Sequence, residues 1–407
     1  DSVITKNKRT RITFNIECNE LWKIGEVELP KGHNVCDSLV RENRKSTFLK
    51  KGDRFSIINL KNERDRIENV LRNSGFYYFS REYITFDLDS SSKKNLVNIK
   101  ISINQPNDSS QHQQYRINNI FVITDYAADR LNDSTHRDTV MSGEYMFIAQ
   151  KMNFRKGVLL DAIYFKHDEL YMKDKELKTI NRFSQLGTFK FISMDYVKVN
   201  NVNDNYLDCI ISLTPAPKQG ITENAEVNVT NEGLFGTAVS LSYKNKNLTK
   251  GADQLLFDVS SGVQLKFSKK DKESVRVITA TAGANLTYYL HKFLVPFRTK
   301  LFSRNTNPNT KITASYNFEH RFDFDTLGKV AFLYQLHHFN FTFGYEWWEN
   351  PYKKHLFNPI TVSFYLLPKT GEEFQRRLSL NPVLKSSFEE QVIIGPNYTF
   401  TYSNKKS

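Results

Sequence analysis

From Ile221 onward the chain alternates between apolar and polar positions in unusually long runs. Ile221, Ala225, Val227 and Val229 alternate with Thr222, Asn224, Glu226, Asn228 and Thr230, and Leu255, Phe257, Val259, Val263, Leu265 and Phe267 repeat the pattern. Ala280, Ala282, Ala284, Leu286, Tyr288 and Leu290 do so again; then come Ile312, Ala314, Tyr316, Phe318, Phe322 and Phe324, where only His320 interrupts the apolar face. Phe339, Phe341, Phe343, Tyr345 and Trp347 continue the series, and Val392, Ile394, Tyr398, Phe400 and Tyr402 end it. A period of two predicts strands, about eight of them between Ile221 and Ser403. A soluble antiparallel sheet with one buried face alternates in the same way. Length separates the two readings: globular strands have a mode of about 5–6 residues and tilted membrane strands need about 9–11, and the run from Lys311 to Phe324 exceeds both. Tyr288, Tyr289, Tyr345, Trp347 and Trp348 stand where alternating runs stop, as interfacial girdle residues do, although strand-end packing also places aromatics there. Glu319, Arg321 and Asp323 suit a watery lumen or an outer sheet face equally well.

The first half reads differently. A short strand is predicted over Arg11–Glu17 and another over Leu21–Val27. Between Leu60 and Leu71, Leu60, Ile67, Val70 and Leu71 share one helical face, with Lys61, Glu63, Arg64, Asp65, Arg66 and Glu68 on the other. Gly75 stands where a left-handed residue stops a helix. Strands follow over Tyr83–Leu88 and over Leu96–Ile103, where Val97, Ile99, Ile101 and Ile103 alternate with polar residues. The order strand, helical stretch, helix, strand, strand makes a small α+β module. It returns from Tyr115: a helix predicted from an Asp174 cap through Leu177, Ile180, Phe183 and Leu186 to Gly187, then strands over Thr188–Val199 and Tyr206–Leu213, with an irregular insertion near 125–157.

Composition supports strands, with 31 Phe and 20 Tyr against 17 Gly and 11 Pro. The formal charge of +13 is spread along the chain without a basic run interleaved with stacking aromatics, which argues against nucleic acid as a partner. Cys18, Cys36 and Cys209 are scattered, with no CxxC pair for a zinc ribbon or a disulfide scaffold, and are read as structural. No window approaches the roughly 18 consecutive apolar residues of a membrane helix, so any span must be made of strands. His337 and His338 are adjacent and point to opposite faces of an extended strand, which makes them poor joint metal ligands and marks a phase change or bulge. There is no phosphate loop, GxSxG or HExxH. The expectation is a non-enzyme with no catalytic residues, no cofactor and no metal.

Short motifs sharpen this reading. Lys51-Gly52-Asp53-Arg54-Phe55-Ser56 entering the helix and Asn73-Ser74-Gly75-Phe76-Tyr77-Tyr78-Phe79 leaving it resemble POTRA modules of the Omp85 superfamily. Leu234 to Leu248 and then Gly251-Ala252-Asp253 resemble the opening hairpins of the Omp85 barrel. Phe293-Leu294-Val295-Pro296-Phe297, Pro308-Asn309-Thr310-Lys311-Ile312, Gly344-Tyr345-Glu346-Trp347, His355 and Asn358-Pro359 are similar to the Bacteroidetes branch with its BamA-like and TamL-like proteins of the surface antigen D15 type. The resemblance implies α+β POTRA modules followed by an all-β antiparallel transmembrane barrel. It divides the chain into the closing strand of a preceding POTRA (1–19), a POTRA-like module (20–105), a second and last one (113–216) and the N-terminal half of a barrel (220–407). Such barrels have sixteen strands, so the sequence is expected to be a piece of a longer protein; an Arg-Gly-Phe lumen motif and a closing strand with a terminal aromatic are missing from it.

The function implied is assembly or translocation of outer-membrane proteins, with the modules in the periplasm and the barrel in the outer membrane. Unfolded clients would add as a strand to a POTRA edge formed by Tyr77, Tyr78, Phe79, Tyr83, Ile84 and Phe86. They would then pair with the first barrel strand at a lateral gate carrying Ile221, Ala225, Val227 and Val229. Partners on this reading are unfolded clients, outer-membrane lipid and accessory periplasmic or lipoprotein subunits. A polypeptide secretion pore of the same superfamily and a soluble periplasmic β-rich binding protein are the alternatives.

Overall fold

The computed structural model describes all residues except 1, 7–8, 14–19, 92–94, 107–110, 128–137, 200–204, 230–233, 268–274, 296–305, 325–329, 351 and 405–407. The chain divides into two compact units, Asp1–Ile120 with Phe165–Leu177 and Tyr196–Cys209, and Phe121–Tyr164 with Lys178–Asp195 and Ile210–Ser407.

The first unit opens with a hairpin, β1 (Ser2–Lys6) and β2 (Arg9–Thr13); of the strand expected over Arg11–Glu17, Arg11–Thr13 lie in β2 and the remainder is outside the described residues. The two strands pair antiparallel, with Lys6 opposite Arg9 and Ser2 opposite Thr13. Cys18 lies outside the described residues. Next come β3 (Lys23–Glu28), α1 (Val35–Glu42), α2 (Ile57–Arg72), β4 (Ile84–Asp89) and β5 (Leu96–Ile103). The sheet order is β3-β5-β4, with β3 parallel and β4 antiparallel to β5. Asn34 caps α1 by accepting from the Asp37 N–H at 2.8 Å, and Ser56 caps α2 by accepting from the Ile58 N–H at 3.2 Å. Gly75 takes the left-handed φ of 99° foreseen for the stop, a conformation that costs a side-chain-bearing residue more than glycine. Ile24, Val40, Ile67, Leu71, Ile84, Ile99 and Ile101 belong to the core between the helices and the sheet.

The segments from 116 to 215 add β6 (Arg116–Ile123), β7 (Asp138–Ser142), β8 (Tyr145–Ala149), α3 (Lys156–Ala162), α4 (Lys173–Gln185), β9 (Phe189–Lys198) and β10 (Tyr206–Pro215). Their sheet has the order β7-β8-β6-β10-β9. Without the β7–β8 hairpin this is β6-β10-β9, a strand order that corresponds to β3-β5-β4. The insertion is thus a hairpin added beside β6. Asp174 is inside the first turn of α4 and not at its cap, and its N–H donates to Asn73 Oδ1 at 2.8 Å.

The second unit holds an eight-stranded antiparallel sheet in strict chain order: β11 (Gln219–Val229), β12 (Leu234–Asn245), β13 (Gln254–Phe267), β14 (Val275–Leu290), β15 (Asn309–Phe324), β16 (Val330–Asn350), β17 (Lys353–Thr370) and β18 (Gln391–Tyr402). Each strand has 11 to 21 residues, well beyond the globular mode. Among the described residues β11 and β18 are the two edges of this sheet, and no pairing joins them. α5 (Glu372–Leu380) and α6 (Pro382–Ser387) join β17 to β18, and Phe374 packs with Leu333 and Tyr334 of β16. No helix among the described residues is long and apolar enough to cross a membrane.

Candidate functional site: the open sheet edges and the apolar sheet face

Backbone pairing needs a strand with one free side, and in the first module that strand is β4. On the other edge, β3 is partly satisfied by the loop that follows α1: Ile24 N–H donates to Asp53 O, and Phe55 N–H donates to Trp22 O. Of the six residues expected to form a client-pairing edge, only Ile84 and Phe86 lie on β4. Ile84 is buried, and Phe86 packs on the core with the Arg64 guanidinium 5.2 Å from its ring centre. Both therefore leave the edge to offer backbone groups. Tyr83 lies in a 3-10 turn, and Tyr77, Tyr78 and Phe79 belong to the segment leaving α2, not to a strand.

Tyr77 serves a joint. Its ring meets Tyr171 at 5.0 Å and Tyr196 at 4.9 Å, with Arg72 5.8 Å from its centre. Arg72 Nη2 donates to Tyr171 Oη at 2.8 Å, and that hydroxyl donates to Glu176 Oε2 at 2.6 Å. Burial, reinforced by the Glu176 carboxylate, pushes the Tyr171 phenol far above its ordinary range. Lys173 Nζ to Asn69 Oδ1 at 3.0 Å and Gln114 Nε2 to the Ser74 carbonyl add two further ties. Phe79 is buried, and Tyr83 packs against His112 at 4.7 Å. Only Tyr78, 55% exposed, remains open among the three residues that precede the 3-10 turn.

In the eight-stranded sheet, β11 is exposed along its whole length. Its register sets Ile221 against Tyr243, Ala225 against Val239, Val227 against Thr237 and Val229 against Phe235, so these four share a face as expected. Glu223, opposite Leu241, stands on that same face, a carboxylate in the apolar row that the sequence pattern passed over. Thr230 lies outside the described residues, as do Pro296 and Phe297 of the quoted motifs.

The register places Tyr288, Tyr289, Tyr345, Trp347 and Trp348 within a few rows of one end of the sheet. Tyr288 Oη donates to Asp253 Oδ2 at 2.8 Å, Tyr345 Oη donates to the Leu294 carbonyl at 2.8 Å and Trp347 stacks on His355 at 4.9 Å. Lys311 lies 5.5 Å from the Tyr289 ring and Lys354 5.7 Å from the Trp348 ring. At the same end the turn between β12 and β13 is tied down by Asp253, which is fully buried and accepts from Thr249 Oγ1 at 2.8 Å and from the Gly251 N–H at 3.1 Å. Arg155 N–H donates to the Lys250 carbonyl at 2.7 Å, and Asn247 Nδ2 donates to the Asn153 carbonyl at 2.8 Å.

The polar face carries its own network. Tyr334 Oη donates to Glu319 at 2.9 Å, Arg377 of α5 pairs with Asp323 at 2.8 Å and Asn285 Nδ2 donates to Asp258 at 3.1 Å. His337 and His338 do point to opposite faces: His337 contacts Tyr316 Oη at 2.8 Å, whereas His338 stacks on Tyr365 at 4.2 Å. A register shift separates Gln335 from His337 in the pairing with β17. Among the described residues no three His, Cys, Asp or Glu side chains gather as a metal site.

Several solved structures are similar to parts of this chain, each at under 15% identity and a TM-score under 0.5. BamA from Haemophilus ducreyi lacking POTRA domains 1–3 matches at 13% identity and a TM-score of 0.39, over 86% of this chain and 64% of that one. CdiB from Acinetobacter baumannii matches at 11% identity and a TM-score of 0.45, over 98% of this chain and 63% of that one. POTRA1–3 of the periplasmic domain of Omp85 from Anabaena matches 53% of this chain at 10% identity and a TM-score of 0.22. The chain thus spans under two thirds of the length of the BamA and CdiB structures. No family model and no curated protein sequence matches it.

Proposed function

We propose that this chain is the periplasmic and first membrane-embedded part of an outer-membrane protein assembly factor that acts without enzymatic chemistry or cofactor. The observation that carries the proposal is the uncovered apolar face of the eight-stranded sheet. Val239, Leu241, Phe257, Val259, Leu286, Phe339, Phe341, Ile360 and Phe364 are all exposed on strands of membrane-spanning length. In a soluble sandwich a second layer covers such a face, and here lipid takes that place. Further strands beyond β18 would close the sheet into a barrel, with the Glu319, Arg321 and Asp323 face lining the lumen.

On this reading clients meet two backbone edges in turn. β4 receives an extended segment by main-chain hydrogen bonds, which suits clients of unrelated sequence because backbone pairing needs no particular side chain. β11 then templates a client strand, so that the strand enters lipid with its backbone already paired. The test is photo-crosslinking with a benzophenone amino acid at Thr85 on β4, at Asn224 on β11 and at Thr361 within the sheet, in membranes presented with an unfolded outer-membrane protein. Client adducts at 85 and 224 but not at 361 are expected. Equal labelling at all three positions, or none at 224, would sink the templating mechanism.

A further inference from the structure

Across β15 to β17 the apolar face of the sheet is interrupted by one row of polar residues. His320 of β15 pairs in register with Gln335 of β16, and Gln335 pairs with Lys369 of β17, so three polar residues form one row. His337 stands two residues along β16, with Nδ1 2.8 Å from Tyr316 Oη and Nε2 3.1 Å from the Gln335 side-chain amide. The imidazole is held at both nitrogens. His320 stacks on Phe322 at 4.5 Å and meets Phe332 edge-on at 5.0 Å. Sequence alone shows His320 as a lone interruption; the pairing register gathers the other three around it.

Spacing along a single strand gives the row its meaning. Ten positions of β16 separate Gln335 from Tyr345, and at about 3.3 Å per residue and a tilt of about 40° they cover about 25 Å along the membrane normal. That is the height of the apolar band of a membrane barrel, about 25 Å. Between the two levels the same face of β16 carries Phe339, Phe341 and Phe343, paired with Phe364, Val362 and Ile360 of β17. Lys369 is exposed on this face. A cation there costs about 2–4 kcal/mol at the bilayer midplane but about 0–1 near the interface, and a lysine stem can lie along apolar surface while its ammonium reaches water.

We propose that His320, Gln335, His337 and Lys369 form a lipid-headgroup contact at the level opposite the Tyr345–Trp347 girdle, taking the phosphate of a phospholipid. The row offers an ammonium, an amide and the His320 imidazole, while His337, held at both nitrogens, fixes the Gln335 amide beside them, and none of the four carries negative charge. The assignment rests on the membrane reading of the sheet given above, and the experiment separates the two.

Single nitroxide labels are introduced as Gln335→Cys, Phe341→Cys and Tyr345→Cys in the full chain carrying Cys18→Ser, Cys36→Ala and Cys209→Ala. The protein is placed in phosphatidylcholine–phosphatidylglycerol vesicles, and depth is read from collisions with oxygen and with a water-soluble nickel chelate. Position 341 should be deep, and 335 and 345 should both lie at headgroup depth; the label at 335 should relax the lipid ³¹P resonance severalfold more than the label at 341. A label at 335 as deep as 341 with 345 shallow, or equal ³¹P relaxation from both, overturns the headgroup row and leaves the membrane reading standing. Three labels equally open to nickel overturn both. Without labels, Gln335→Arg should change the folding equilibrium in the same vesicles less than about 5-fold, against about 30-fold or more for Phe341→Arg, and equal losses overturn the row.

Discussion

Glu63 and Arg66 show how a residue can mislead when read by pattern alone. Both fall among the charged positions of α2 that look solvated in sequence, yet Glu63 is fully buried and Arg66 is 8% exposed. Glu63 Oε1 pairs with Arg66 Nη2 at 2.7 Å and Oε2 accepts from the Phe48 N–H at 2.9 Å, while Arg66 Nη1 donates to the Asn43 carbonyl at 3.1 Å. The segment between α1 and α2 supplies those backbone partners, and nothing in the i, i+3 spacing reveals that it does. Glu63→Ala is expected to cost about 3–5 kcal/mol by leaving a buried cation unpaired, whereas Glu63→Leu with Arg66→Met should cost much less. Urea unfolding followed by circular dichroism decides, and equal losses would show the pair to be solvated. Asp253 gives a pH signature. Burial alone raises its carboxyl, but hydrogen bonds from Thr249, from Tyr288 and from the Thr249 backbone outweigh this and hold it below the ordinary carboxylate range. A depressed folded-state pKa stabilises above the unfolded value of about 3.9 and is lost as pH falls through the lower folded value. Asp253→Asn should therefore be less stable than the parent by about 1.5–3 kcal/mol at pH 7, and the gap should close in acid; a gap that persists unchanged to pH 2 would contradict this account.

Elements were more legible than residues, and the reason is periodicity. Strands β11, β13, β14, β15, β16 and β18 and helix α2 carry runs long enough for the period to stand out, so they fall where the alternation puts them, whereas β12 and β17 are not marked by alternation. The β1–β2 hairpin was missed because Ser2–Thr13 is too short and polar to show a clear face. Helices α5 and α6 were missed for another reason: they sit between two alternating strands, although Gly371 before the first and an Asn381-Pro382 start to the second are visible signals. Only part of the expected client edge is a strand, since an aromatic run after a helix stop reads as a strand but packs at Tyr77 against Tyr171 and Tyr196. Tyr77→Ala should therefore loosen the joint. Amide hydrogen exchange over residues 69–77 and 171–176 should speed at least 10-fold, while client crosslinking at Thr85 stays within twofold of the parent. Loss of crosslinking with unchanged exchange would return Tyr77 to the client edge.

At the scale of the whole molecule the decisive quantity is where apolar surface goes. The first module closes a core of its own between two helices and three strands, whereas the eight-stranded sheet leaves one apolar face and two edge strands open. Contiguous exposed apolar surface beyond a few hundred Å² marks an interaction or membrane site in a folded protein, and unpaired edges flanking it template association with other chains. The formal charge of +13 opposes self-association, but at physiological salt its range is about 8 Å, too short to keep two sheet faces apart once they meet. Solubility should thus depend on amphiphile. The refolded chain is expected to sediment as a single species above the critical micelle concentration of dodecyl maltoside and to aggregate on dilution below it, with its strand content retained by circular dichroism. In the aggregate the edges pair with one another, so the strands survive while the first module's helices keep their own core. A monodisperse, fully folded chain in plain buffer would mean that the sheet covers its apolar face by itself, and the membrane reading would fall with it.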